Sequence, residues 1–221
     1  MSFNIAIDGP SGAGKSSISK EVAKRLGMIY VDTGAMYRSI GLYFYKNNIS
    51  LENTANNVNE LKNITVELGY ENGEQQVFLN GQNVSAEIRL HVISEYASKV
   101  SAVNEVRAFL LNMQRDIAKH NDIIMDGRDI GTVVLPDANL KIFLTASAEV
   151  RADRRYKELV EKGQSVDYDT ILKDIVDRDY RDSHRDIAPL KAADDAVLVD
   201  TSELDFEQSV NAILKLVKER M

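Results

Sequence analysis

The chain alternates short apolar runs with amphipathic stretches. Residues 3–7 (Phe-Asn-Ile-Ala-Ile) form a run fit for a buried strand, and Ile18, Val22 and Leu26 then recur four apart before Gly27. Further strand candidates lie at residues 29–31, 123–125, 140–144 and 197–199. Helical spacing returns at Val106, Leu110, Met113 and Ile117, and again at Phe206, Val210, Ile213 and Val217. Strands alternating with helices predict an α/β fold, a central parallel sheet covered on both faces.

One stretch departs from this rhythm. Ile64, Val66 and Leu68 alternate with polar residues, and Asn72-Gly73, the apolar run 77–79 and Asn80-Gly81 follow. Two Asn-Gly turns between alternating runs predict a small antiparallel meander. It reads as an insertion, either a substrate-binding flap or a surface hairpin without a ligand.

Composition narrows the class. The 221 residues suffice for one large α/β domain, and 44% hydrophobic with 28% charged residues is an ordinary globular balance. No apolar run reaches transmembrane length, and the first strand begins too early for a signal peptide, so a cytoplasmic location is expected. With no cysteine there is neither a disulfide framework nor a thiolate metal site. A net charge of −7 argues against nonspecific binding of a nucleic-acid polymer. Arginines must therefore be concentrated locally if anions are to be held.

The densest chemistry lies at residues 9–16, Gly-Pro-Ser-Gly-Ala-Gly-Lys-Ser. Gly, four residues, Gly, Lys and Ser is the spacing of a phosphate-binding loop. Such a loop turns successive backbone N–H groups onto phosphate oxygens, and the following helix adds the positive end of its dipole. Gly9, Pro10, Ser11, Gly12, Ala13, Gly14, Lys15, Ser16 and Ser17 are the expected ATP contacts. Lys15 would reach the β- and γ-phosphates, and the Ser16 hydroxyl would bind Mg²⁺.

A GTPase switch would show a late Asn-Lys-x-Asp motif, which the chain lacks; a motor ATPase needs a longer chain. A kinase needs a second anionic site and cations around the phosphoryl group in transfer. Arg38 and Arg128 follow predicted strands, where ligands of open α/β sheets lie. Asp32 and Asp126 there serve either as caps or, for Asp126, as a Mg²⁺ carboxylate. Arg151, Arg154 and Arg155 fall on a helix starting near Ser147; Gly163 interrupts it, and a second helix spans about 169–185. This hairpin has the shape of a lid that excludes water. On its second helix Arg178, Arg181, Asp182 and Arg185 extend the apolar stripe of Ile171 and Ile175, the arrangement of a helix overlooking a charged cleft. The alternative is a solvated ladder of Asp174–Arg178 and Asp177–Arg181 pairs.

With these residues assembled, the chain resembles the P-loop nucleoside monophosphate kinases and, within them, the bacterial-type cytidylate kinases. The resemblance spans nearly the whole length. It rests on residues 7–15, on Gly34-Ala35-Met36-Tyr37-Arg38, on Ser85-Ala86-Glu87-Ile88-Arg89, on residues 126–134 and on Arg178-Asp179-Tyr180-Arg181-Asp182.

The resemblance implies a three-layer P-loop kinase fold with a small antiparallel insertion in the monophosphate-binding region and a helical lid. It implies phosphoryl transfer from ATP with Mg²⁺ to CMP and dCMP. Ser98, Arg107 and Asp129 would read cytosine. Arg38 and Arg128 would hold the CMP phosphate, with Ser11 and Thr33 nearby and Arg185 approaching it. Arg178 and Asp182 would contact the sugar hydroxyls. Arg151, Arg154 and Arg181 would face the transferring group, so that Lys15, Arg128, Arg151, Arg154, Arg181 and Arg185 form the catalytic set. Thr33 and Ser16-Ser17 stand where relatives often carry Ser and Gly-Thr; each change keeps a hydroxyl nearby. The expected organisation is one kinase unit, 1–221, with a core of 1–35, 104–150 and 167–221. The monophosphate-binding region with its meander is 36–103, and the lid is 151–166. A monomer is expected.

Overall fold

The computed structural model describes residues 2–50 and 58–221. The part of the expected monophosphate-binding region at 51–57 lies outside the described residues. The chain divides into two compact units, one formed by 1–30 with 121–221 and the other by 31–120.

The first unit is built on the predicted parallel sheet. Its strands are β1 (Asn4–Asp8), β2 (Ile29–Asp32), β6 (Ile123–Gly127), β7 (Leu140–Thr145) and β8 (Val197–Asp200), in the order β2-β6-β1-β7-β8. β2 continues into the second unit at Val31. β1 is central, pairing in parallel with β6 and with β7, and Asp8 stands opposite Gly127 and Phe143 at the carboxyl end. Helices α1 (Lys15–Leu26) and α7 (Phe206–Lys218) cover it, enclosing Ile5, Ile7, Val22, Ile142, Val210 and Ile213. Phe206, predicted as part of the buried face, is 51% exposed. It directly follows the cap Asp205, inside the Asp205–Gln208 capping box and at the very start of the apolar stripe.

The lid-like hairpin is also present. Helix α5 (Ala148–Glu161) starts after the cap Ser147, whose hydroxyl accepts from the Val150 N–H, and α6 (Tyr168–His184) follows Gly163. The two helices share a small core of Ala152, Ile171 and Ile175, flanked by Tyr156, Leu159 and Tyr168. α6 ends at His184, so Arg185 lies in extended backbone just beyond it.

The second unit carries the meander. Strands β3 (Val66–Glu71), β4 (Glu74–Leu79) and β5 (Gln82–Asn83) pair antiparallel in that order. Both turns place Asn and then Gly at positive φ, Asn72 with Gly73 and Asn80 with Gly81, which is type I′ geometry. Helices α2 (Thr33–Lys46), α3 (His91–Val100) and α4 (Asn104–His120) complete this unit around Met36, Ile40, Phe44, Val77, Ile88, Ile93 and Leu110. On α4 the buried positions are Val106, Arg107, Leu110, Gln114 and Ala118, so the inner face includes two polar residues. Gln114 points at the Met36 sulfur, 3.9 Å away.

Candidate active site

The glycine loop joins β1 to α1 at the carboxyl edge of the sheet. At Gly9 the backbone has φ 149°, and a Cβ there would lie 1.9 Å from the Leu144 carbonyl oxygen, so only glycine fits. Lys15 is buried and donates to the Pro10 carbonyl at 2.7 Å, folding back over the loop. Burial and then the Arg128 charge hold its pKa well below the usual lysine range, with Arg178 adding repulsion; Asp126 and Asp8 oppose them. Arg128 and Arg178 are thus close enough to act on the Lys15 ammonium.

The Ser16 hydroxyl donates to Asp126 Oδ2 at 2.8 Å, and the Tyr30 hydroxyl reaches the other carboxylate oxygen at 3.2 Å. Among the described residues no group of three or more His, Cys, Asp or Glu could enclose a metal ion. A hydroxyl and one buried carboxylate fit Mg²⁺, which keeps several waters and takes the rest of its shell from substrate phosphates.

Arg128, Asp129, Arg178, Asp182 and Arg185 come together in the same unit. Arg128 Nε donates to Asp182 Oδ2 at 2.9 Å, and Arg178 Nε lies 3.9 Å from the same oxygen. Arg185 approaches Asp129 at 3.7 Å and donates from Nε to the Ala188 carbonyl at 2.6 Å. Burial works to raise the Asp182 pKa, but Arg128, Arg178 and Arg185 outweigh it and hold it below the usual range. The predicted stripe along α6 therefore divides: Arg178 and Asp182 face inward, Arg181 is exposed, and Arg185 joins the group from beyond the helix end.

Of the α5 arginines, Arg151 is fastened to the loop directly and Arg154 to Thr201 beside it. Arg151 is buried; it donates to the Ala146 carbonyl at 2.8 Å and the Ser11 carbonyl at 3.1 Å, and pairs with Asp179 at 2.6 Å. Arg154 donates to the Thr201 carbonyl at 2.7 Å, while the Thr201 hydroxyl lies 3.5 Å from the Ala13 carbonyl and 3.1 Å from that of Thr145. Arg155 pairs with Glu158. Sequence reasoning missed Thr201 and Asp179. Position directly after a strand's carboxyl end was the available signal for Thr201.

In the second unit, Thr33 is buried at the start of α2, capped by Asp32, which accepts from the Ala35 N–H at 3.0 Å. Asp32 also pairs with Arg89 at 3.2 Å, and Gln75 of the meander binds its backbone N–H at 2.8 Å. Arg38 lies on the first turns of the same helix, beside Gly34. Ser98 and Arg107 are brought together through Ser101. The Ser101 hydroxyl donates to the Ser98 carbonyl at 2.8 Å, and Arg107 donates to the Ser101 carbonyl at 3.1 Å. The Arg107 guanidinium sits 5.6 Å from the centre of the Tyr37 ring.

A strand, a glycine loop with its Lys and Ser, and a helix at the head of a parallel sheet define a P-loop nucleotide-binding protein. The family model described as cytidylate kinase matches residues 5–219. A cytidylate kinase of Thermosipho melanesiensis is 51% identical over 221 residues, covering 100% of this chain and 99% of the relative. One of Lactobacillus johnsonii is 46% identical over 218 residues, covering 99% and 95%. Among solved structures, a shikimate kinase from Bacteroides thetaiotaomicron aligns over 98% of both chains with a TM-score of 0.50 and 13% identity, a likeness of fold alone. The chain belongs to the cytidylate kinase family.

Proposed function

We propose that this chain transfers the γ-phosphoryl group of ATP to CMP and dCMP, giving CDP or dCDP and ADP. The observation that carries this reading is the buried Lys15 folded over the glycine loop, with Arg128 and Arg178 gathered on Asp182 in the same unit, a set of cations held ready for anions. Family membership supplies the acceptor.

Little covalent chemistry is asked of the protein, because the acceptor is a phosphate oxygen already ionised at neutral pH. Positioning and charge do the rest. The loop N–H groups and Lys15 hold the β- and γ-phosphates. Ser16 and Asp126 would hold Mg²⁺, which when bound supplies positive charge to the phosphate oxygens. Arg128, with Arg38 and Arg185, holds the acceptor phosphate, while Asp182 and Arg178 meet its sugar. Asp129 accepts from the cytosine amino group, and Ser98 and Arg107 donate to its ring acceptors. Arg181, exposed in the described structure, reaches the transferring group on lid closure, which excludes water. Arg151 and Arg154 serve this step from beside the loop.

The enzyme is read as a cytoplasmic monomer without membrane or nucleic-acid partners. No helix among the described residues is long and apolar enough to cross a membrane. An ADP-release assay with CMP, dCMP, UMP, AMP and shikimate tests the reading. CMP and dCMP should give the fastest turnover. ATP hydrolysis indifferent to every acceptor would overturn the assignment in favour of a nucleotide switch.

A further inference from the structure

Asp8 is a buried carboxylate for which the proposed mechanism has no use. It ends β1, immediately before Gly9, and is only 4% exposed. Its two oxygens accept from two consecutive backbone N–H groups of a distant segment, Ile130 at 2.8 Å and Gly131 at 2.7 Å. These open the short π-helical turn Ile130–Val134, directly after Arg128 and Asp129. An ordinary buried carboxylate is costly unless charge or hydrogen bonds compensate for the lost water. Here the compensation comes from one narrow piece of backbone, the piece that carries both acceptor-site residues.

The other side of that backbone is also closed. A Cβ on Gly131 would lie 3.2 Å from Lys141 Cδ and 3.4 Å from Asp8 Oδ2, so the strap is pinched between the Lys141 stem and the Asp8 carboxylate. Lys141 is itself fixed, since its ammonium donates to Asp195 at 2.9 Å. The charged groups acting on Asp8 are Asp129 from the strap and Lys15 from the helix after the loop.

We infer that Asp8 is a positioning residue for the acceptor nucleotide: it clamps the strap 128–131 onto the root of the phosphate loop and thereby sets where Arg128 and Asp129 stand. This deepens the proposed function and rests on it for the identity of the acceptor. The physical logic is that a carboxylate offers acceptors to both N–H groups at once. An amide offers only one oxygen and turns an NH₂ group toward the other donor. Both Asp8 hydrogen bonds go to the strap, and the phosphate loop feels the side chain only through its charge on Lys15, so donor and acceptor sites should respond differently to its loss.

The experiment compares the wild-type chain with Asp8→Asn, using peptide-resolved amide hydrogen exchange together with steady-state kinetics. Exchange over 128–135 should speed up while 9–17 stays protected. KM for CMP should rise about tenfold or more, the weight of one buried hydrogen bond left unmade, with KM for ATP changed by less than about twofold. Gly131→Ala, which leaves the Asp8 carboxylate chemically intact but presses the strap against the Lys141 stem and Asp8 Oδ2, should raise the same CMP constant. Unchanged exchange over 128–135 in Asp8→Asn overturns the clamp, as does an equal rise in both KM values. If the wild type turns over no acceptor, the kinase reading fails by itself, and exchange still decides the clamp.

Discussion

Arg128 and Asp182 meet through a hydrogen bond of 2.9 Å, joining the loop after β6 to the inner face of α6. Asp182 is buried, and Arg178 approaches the same oxygen. A carboxylate compensating several guanidinium groups keeps them in place before substrate arrives. Asp182→Asn should destabilise the fold by about 1–3 kcal/mol at neutral pH and raise KM for CMP. Because the folded-state pKa is lowered, the stabilisation is present above the unfolded value and is lost as pH falls through the folded one. Denaturant unfolding at pH 7 and at about pH 3 tests this; the gap between wild type and variant should narrow at the acid end.

Arg151 and Arg181 separate by the same logic. Arg151 is 4% exposed and bonded to Ala146, Ser11 and Asp179, whereas Arg181 is exposed on α6. Arg181→Met should leave thermal stability within about 0.5 kcal/mol while kcat drops by at least about 10²-fold. Arg151→Met should lower both stability and activity, because the loop carbonyl of Ser11 and the Asp179 carboxylate lose their donor. Near-normal turnover in Arg181→Met would remove that residue from the chemistry.

The Ser16–Asp126 pair makes a further prediction. With Oγ 2.8 Å from the carboxylate, the two are placed to share one cation. Ser16→Ala should raise the Mg²⁺ concentration needed for half-maximal rate by about tenfold or more, leaving KM for CMP near the wild-type value. A Mg²⁺ titration of the rate at saturating ATP measures it. An unchanged titration curve would move the cation elsewhere.

Much of this was legible locally. The glycine loop reads directly because its residues are contiguous, and both Asn-Gly turns carry their conformation in two adjacent side chains. Helical phase carries Arg185 on α6, whereas α6 stops one residue short of it and Arg185 reaches Asp129 from the extended backbone beyond. The contacts of Asp8, Thr201 and Asp179 escaped for a different reason. Their partners are Ile130 and Gly131, Ala13 and Arg154, and Arg151, all supplied by other elements once the chain has folded. Ser98 and Arg107 carried no local signal and came from the family resemblance. The structure adds Ser101, which links the Ser98 carbonyl to the Arg107 guanidinium at the end of α3.

Asp8 also governs a pH response. Burial first, with Asp129 adding repulsion, raises its pKa from 3.8 to about 6, against the pull of the Gly131 and Ile130 N–H groups and of Lys15. A raised carboxyl pKa means that the folded chain binds more protons than the unfolded chain between those two values, so this group's contribution to stability falls as pH rises through that window. Function should run the other way, because protonation costs Asp8 one of its two acceptors. KM for CMP should therefore climb in the wild type as pH drops below about 6, and the wild-type advantage over Asp8→Asn should shrink with it. Comparing the two proteins at each pH cancels the titration of the CMP phosphate itself, whose second pKa lies near the same value of about 6. A ratio that stays constant from about pH 7.5 to 5.5 would show that Asp8 does not titrate within the working range.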